Sequence, residues 1–380
     1  MDKQHLFEAR TNGYKTYRIP GIVTSSDGAV IVTAEARPGE GGDYDYNDVV
    51  MRRSTDGGDT FEPARKLVDH RDYGEGPVSN FVMIPDRDTG HVVAVFCHDY
   101  ARVFAMRSRD DGATWTEPQE ITDVFEQFRD DYPWRVCATG PGHGTQLRNG
   151  RMIVPVWLSD GSGGEFGEDK RGHRPSIVSL IYSEDGGETW ERGEIVCRHG
   201  DTVEGVEVVN PSETVAVELN DGGVMFNIRS ESMNNRRLIG TSPNGVTGWT
   251  CQGFDDELVE PVCMASLLRY DWPEDDGPGR ILFANPDTLG INMRPWVDPA
   301  EEPHRDRKNL TIRLSEDDGK NWIASRVIEP GPSGYSDLTV LPDGRVGCLY
   351  EDQIVERIHD DKYVTLIRFE LEWILSGSVN

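Results

Sequence analysis

Apolar residues run along this chain in short bursts, many alternating with polar ones, and most bursts end in clusters of glycine, aspartate, asparagine or proline. A periodicity near two, punctuated by turn residues, predicts strands rather than helices. The run from Gly28 to Arg37 reads as a strand ending in a charge. Asp48–Ser54, Asn309–Ser315 and Arg280–Pro286 are further strand-like runs that lead into turns. Thr214–Leu219 and Val224–Ile228 flank the tight turn Asn-Asp-Gly-Gly, which predicts a hairpin. A hairpin brings its outer ends together, so Glu213 and Arg229 should be neighbours.

One octapeptide recurs directly after several of these strands: Ser-Thr-Asp-Gly-Gly-Asp-Thr-Phe (54–61), Ser-Arg-Asp-Asp-Gly-Ala-Thr-Trp (108–115), Ser-Glu-Asp-Gly-Gly-Glu-Thr-Trp (183–190) and Ser-Glu-Asp-Asp-Gly-Lys-Asn-Trp (315–322). A degenerate copy, Ser-Pro-Asn-Gly-Val-Thr-Gly-Trp, covers 242–249. Serine and aspartate side chains can bond nearby backbone, glycine can take a positive φ, and the closing aromatic can anchor the turn. The aspartates are therefore read as structural. A spacing of about 65 residues over 380 gives roughly six units. Sheets repeated radially close into a propeller, which shields their edges, so the expected fold is all-β, a six-bladed β-propeller formed by residues 1–380 as a single domain.

Composition narrows the options. A net charge of −28 argues against nucleic acid or an anionic membrane as partner. It also counts against an anionic substrate unless a local arginine cluster overrides the global field. The six cysteines form no CxxC pair, and Cys97, Cys137, Cys263 and Cys348 lie in apolar runs as buried thiols would. With a polar start, a cytoplasmic, reduced protein is expected. No HExxH or similar spacing is present, and Asp43-x-Asp45-x-Asn47 lacks the later positions of a calcium loop, so neither metal nor cofactor is expected.

The chemistry-bearing stretch is Gly-Tyr-Lys-Thr-Tyr-Arg-Ile-Pro-Gly-Ile (13–22), centred on Arg18. A guanidinium is a rigid fork of donors that matches a carboxylate bidentately, which suggests an acidic sugar as ligand. The octapeptides are similar to the Asp boxes of sialidases, and Tyr17-Arg18-Ile19-Pro20 resembles that family's Y/F-R-I-P motif. Gly140-Pro-Gly-His143-Gly-Thr-Gln-Leu resembles a segment of bacterial-type exo-sialidases. The resemblance runs from about residue 13 to 351 and implies an active site at one end of the propeller's channel.

It also implies roles. The general acid/base would be an aspartate on the loop after Arg37, with Asp43 the best fit and Asp45 the fallback. Glu213 would be the base that activates the nucleophile. Arg18, Arg229 and Arg307 would hold the substrate carboxylate, with Arg305 as runner-up for the third. Tyr335 would be the nucleophile, and Glu351 would steady Arg18. Arg37 would face the substrate, and Asn80 stands where many relatives carry an aspartate that contacts the sugar. Phe125, Phe128, Tyr132 and Trp134 could wall an acyl-group pocket or pack between blades. His143 could be a base or merely line the site, and residues 161–174 could cover the channel or form a plain surface loop.

The implied activity is that of a retaining exo-α-sialidase acting on sialylated glycans. A sialic acid carries its carboxylate on the anomeric carbon, so a carboxylate nucleophile would be repelled; a phenol, neutral at rest, would not. Asp43 would need its pKa raised to act as an acid near neutral pH. Two other readings are a related enzyme using Kdn or another nonulosonic acid, or favouring transfer, and a non-catalytic glycan-binding propeller.

Overall fold

The computed structural model describes residues 1–167, 170–275, 278–289, 291–292, 304–355 and 360–376. The chain is nearly all β, organised as consecutive antiparallel meanders. The first comprises Thr16–Thr24, Val30–Arg37, Asp48–Ser54 and Arg65–Val68. The second is built on Val78–Pro85, Val92–His98 and Arg102–Ser108, the third on Val136–Thr139, Met152–Ser159 and Ser176–Ser183. Thr214–Glu218, Val224–Ile228, Arg236–Ser242 and Thr250–Val259 make the fourth.

The last two meanders share the long strand Ala324–Val340. Its first half pairs with Lys308–Ser315, which continues through Ile281–Pro286 to Ser266–Arg269; its second half pairs with Val346–Ile354, then Asp361–Phe369. The outer strand of that final meander is Asp2–Glu8, from the other end of the chain, in antiparallel register with Asp361–Phe369. All eight residues of Val30–Arg37 and of Met152–Ser159 are buried. A sheet covered on both faces needs apolar residues on both, which explains why several strands read as near-continuous hydrophobic runs rather than strict alternations.

The octapeptides behave as turns closed by their own side chains. The Ser54 hydroxyl donates to Asp56 (2.7 Å) and accepts from the Gly58 amide (2.8 Å), while the Asp56 carboxylate accepts from the amide and hydroxyl of Thr60 (2.9 and 2.6 Å). The same set recurs at Ser108/Asp110/Thr114 and Ser183/Asp185/Thr189, and at Ser315/Asp317/Asn321 with the Asn321 side-chain amide in place of the hydroxyl. The aspartates are structural, as their turn chemistry predicts. Each turn also packs on the preceding meander. A Cβ added at Gly112 would lie 2.6 Å from Ile31 Cδ1, at Gly187 2.8 Å from Val93 Cγ1, at Gly245 2.4 Å from Ile153 Cδ1, and at Gly319 3.0 Å from Met225 Cε. The first turn leans the same way on the last meander, its Gly58 facing Leu366 and Arg368 at 3.8 Å.

These contacts set a stability order. Gly57 and Gly112 both hold a positive φ (73° and 81°), but only Gly112 is hemmed in. Gly57→Ala should cost about 1 kcal/mol for backbone strain, and Gly112→Ala roughly 1–3 kcal/mol more for overpacking Ile31. Denaturant titration of both variants checks this; equal losses would mean that the turn does not pack on its neighbour.

Candidate active site

Three strands reach the site through one-residue bulges. Between Arg18 and Gly21 the first strand runs one residue longer than its partner from Glu35 to Thr33, and Ile19 takes φ 55°. A matching bulge spans Ser79–Val82, with Asn80 at φ 54°, and a third spans Ser333–Ser336, which contains Tyr335. A bulge re-aims one side chain without ending the strand. Here it turns Arg18 and Tyr335 toward a common centre.

Tyr335 is that centre. Its hydroxyl donates to Glu213, whose other carboxylate oxygen accepts from Arg229. Arg229 Nη1 also donates to the phenol oxygen at 2.8 Å. The guanidinium carbons of Arg18 and Arg307 each lie 5.2 Å from the phenol ring centroid. Residues distant in sequence thus converge on one ring. The hairpin geometry accounts for the Glu213/Arg229 pair: Thr214 pairs with Ile228, and the Arg229 amide bonds to Glu213 O at 3.1 Å. Burial drives the Tyr335 pKa far above the ordinary phenol value, and the nearby Arg229, Arg307 and Arg18 only partly offset this. The phenol is neutral at rest. Arg307 is held by a bond from Nη2 to Val262 O at 2.6 Å; the side chain of Arg305 lies outside the described residues.

Glu351 anchors the cationic side. Its carboxylate accepts from the Ile19 amide (3.1 Å), the Tyr335 amide (2.9 Å) and Arg18 Nη2 (3.2 Å). A second carboxylate, absent from the sequence reading, grips Arg18 as well: Asp361 Oδ2 accepts from Nε at 3.1 Å.

Asp43 is held by Arg37. Arg37 Nη1 donates to Asp43 at 2.8 Å and to Gly41 O at 3.2 Å, while Glu35 holds the other edge of the same guanidinium at 2.6 and 3.0 Å. Glu35 in turn accepts from the Asn80 amide at 2.8 Å, which ties Asn80 to this group through its backbone. Glu35 and Arg37 sit two apart on one strand and share a face, a signal available from period-two alternation. Asp45 is occupied in closing its own loop, accepting from the Gly42 amide at 2.9 Å.

The Asp43 pKa is lowered, not raised as an acid role near neutral pH would need. Burial does favour the neutral acid, but the charges of Arg37, His173 and Arg18, with the Arg37 hydrogen bond, outweigh it and hold the carboxyl well below its ordinary range. Its side chain is one-third exposed (33%), so solvent softens these effects.

Of the aromatics of 124–136, Phe125, Phe128 and Trp134 are core residues, at most 2% exposed, and Trp134 Nε1 donates to Phe125 O, while the half-buried Tyr132 donates to Pro175 O at 2.9 Å. A different group flanks Asp43. The 161–174 loop returns to place His173 against Phe166, Tyr100, Trp157 and Tyr44, with ring centroids 4.5–5.6 Å apart, and Tyr44 Oη donates to Arg171 O at 2.7 Å. His143 turns away from this cluster and pairs with Asp337 at 2.7 Å; Asp337 also accepts from the Ile22 amide (2.9 Å) and the Ser266 hydroxyl (3.1 Å), linking several meanders.

Arg37→Met should raise the Asp43 pKa by about one unit or more, because the largest lowering charge and its hydrogen bond go together. Carboxyl ¹³C titration of Asp43 in both proteins measures this; an unchanged midpoint would show that Arg37 does not govern its ionisation.

Comparison with known proteins places this geometry. Residues 28–348 match the family described as BNR repeat-like domain. The chain is 29% identical to the sialidase of Micromonospora viridifaciens over 92% of its own length and 52% of that protein, and 27% identical to the sialidase of Bacteroides fragilis over 89% and 60%. It therefore spans a little over half the length of these curated relatives. Among solved structures, the Hadza microbial sialidase Hz136 superposes with TM-score 0.77 at 26% identity, covering 98% of this chain and 69% of that one. From the repeat turns and the match across most of the sequence, the chain belongs to the BNR repeat-like family.

Proposed function

We propose that this protein is a retaining exo-α-sialidase, a glycoside hydrolase that releases terminal sialic acid from glycoconjugates. The observation that carries the reading is the convergence of Arg18, Arg229 and Arg307 on Tyr335. We further propose that residues 1–380 form a single, closed six-bladed propeller. The meander count, the turn-on-preceding-sheet packing and the pairing of the two chain ends support closure.

In this reading Arg18, Arg229 and Arg307 hold the substrate carboxylate and present the anomeric carbon to Tyr335. Glu213 takes the phenol proton as the oxygen attacks, and Asp43 protonates the leaving oxygen. An aryl ketoside between the Tyr335 oxygen and the anomeric carbon results, with the aglycone alcohol released. Asp43 then removes a proton from water, which attacks the anomeric carbon; sialic acid leaves, and the tyrosine oxygen recovers its proton from Glu213. Asp43 is ionised in the empty site, so substrate must help it acquire a proton. The incoming carboxylate offsets Arg18, and displacement of water strengthens the effect of burial. Activity that depends on Asp43 as an acid should therefore fall as pH rises.

The aromatic group of Tyr44, Tyr100, Trp157, Phe166 and His173 beside Asp43 supports a sugar with an acyl substituent over Kdn. A panel of fluorogenic α-ketosides of N-acetylneuraminic acid, Kdn and Kdo tests both points. Preference for the first is expected; preference for Kdn would transfer the proposal to that sugar, and no turnover on any would overturn it.

Two variants test the roles. Tyr335→Phe should lose turnover by orders of magnitude while still binding a sialic acid analogue. Asp43→Ala should lose roughly 10²–10⁴-fold on natural sialosides but much less on aryl ketosides, whose leaving group departs without a proton. Equal losses on the two substrates would contradict the acid role.

A further inference from the structure

The grip on Arg18 holds more negative charge than anchoring it requires. Glu351 and Asp361, 1% and 5% exposed, both lie 3.1 Å from its Nε. The two carboxylates differ in what else they hold. Glu351 also accepts the Ile19 and Tyr335 amides, hydrogen bonds that favour its anion. The Asp361 carboxylate bonds to Arg18, while its main-chain carbonyl takes the Thr16 hydroxyl at 2.9 Å. Asp361 opens the strand Asp361–Phe369, opposite Ile354 in register, so the pairing of the last strands brings it beside Arg18.

We propose that Asp361 is a positioning residue that sets how much of Arg18's charge is offered to an incoming carboxylate, by taking up a proton as the ligand binds. The inference rests on the reading of Arg18 as a carboxylate ligand. With Asp361 ionised, the guanidinium is already shared between two anions, and a third is resisted. With Asp361 neutral, only the Glu351 anion remains and more of Arg18's positive charge is left for the ligand. The proton comes from solvent and returns there on release, so no bond other than O–H forms or breaks.

The electrostatics fit this division. Burial raises the Asp361 pKa, the Glu351 anion raises it further, and Arg18 and Arg307 pull it back, leaving it pushed up to about 7. Burial acts on Glu351 in the same sense, yet Arg18, Arg307 and the two amides hold it below its ordinary value. The charged groups facing Asp361 are Arg18 from the strand Thr16–Thr24, Glu351 from Val346–Ile354, and Arg307 beside Lys308–Ser315. On its own segment, Asp360 is paired with Arg10 at 3.7 Å. A bound carboxylate adds another anion and so raises Asp361 again. By linkage, binding then strengthens as pH falls through the Asp361 value and weakens above it.

The test is the pH dependence of KM against that of kcat, for wild type and Asp361→Asn, on a fluorogenic sialoside. For wild type, KM should be flat in mild acid and rise above neutrality, approaching about tenfold per pH unit at the limit. In Asp361→Asn the rise in KM should vanish, while kcat keeps the pH dependence that Asp43 imposes. A KM rise unchanged in the variant would overturn the proposal, because a merely structural aspartate would lower stability or kcat without flattening KM. Should the variant fail to fold, calorimetric titration of Asp43→Ala with a 2,3-didehydro sialic acid analogue, in two buffers of different ionisation enthalpy at pH 8, reads the same event without proton uptake by Asp43. Uptake of close to one proton per ligand is expected, and none would overturn the proposal. Wild-type enzyme that turns over no sialoside and binds no analogue would instead overturn the sialidase reading, and this inference with it.

Discussion

A single buried carboxylate, that of Glu351, fixes the backbone that presents Tyr335 and the guanidinium of Arg18 to each other. It accepts the amides of Ile19 and Tyr335 while holding Arg18, so the first and last meanders meet at one anion. Gly334 makes room for it: a Cβ there would fall 2.1 Å from Glu351 Oε2. Removing one partner of such a buried charge cluster typically costs about 3–5 kcal/mol, because the remaining charge is left without compensation. The rest of the site inherits its geometry from this joint. Tyr335 can meet Glu213 and Arg229 only if its own strand is held at that depth.

The same economy of structure resolves the charge paradox of the chain. A protein with net charge −28 should repel an anionic substrate at long range. At the site the order is reversed, since Arg18, Arg37, Arg229 and Arg307 are gathered around a few acids that orient them. Short-range contacts among buried charges are stronger than a distant field that salt screens. The acids have divided duties. Glu35 straightens Arg37, Glu351 joins two strands to Arg18, and Asp361 adjusts the charge that Arg18 has left to offer.

Much of this was legible in the sequence, for identifiable reasons. The octapeptides encode their own turn hydrogen bonds, so their role could be read from Ser, Asp, Gly and Thr at fixed offsets. Glu213 and Arg229 could be joined because a hairpin lay between them. What escaped depended on long-range closure or on charge. Asp361 belongs to no local motif and reaches Arg18 only because the last strands pair as they do. His173 is brought beside Tyr44 and the strand residue Trp157 by a loop whose path no periodicity reveals. Phe125, Phe128 and Trp134 were one of two open possibilities, and full burial decides for packing. For Asp43, the sequence puts Arg37 six residues away but does not show that its guanidinium turns back to bond the carboxylate and lower its pKa.

In the proposed mechanism the phenol oxygen of Tyr335 becomes bonded to the sugar. Incubation with 2,3-difluorosialic acid, followed by proteolysis and mass spectrometry, observes that bond directly. A difluorosialyl adduct on the peptide containing Tyr335, absent from Tyr335→Phe, is the predicted result. An adduct on another residue, or turnover of sialosides with no adduct formed, would contradict it.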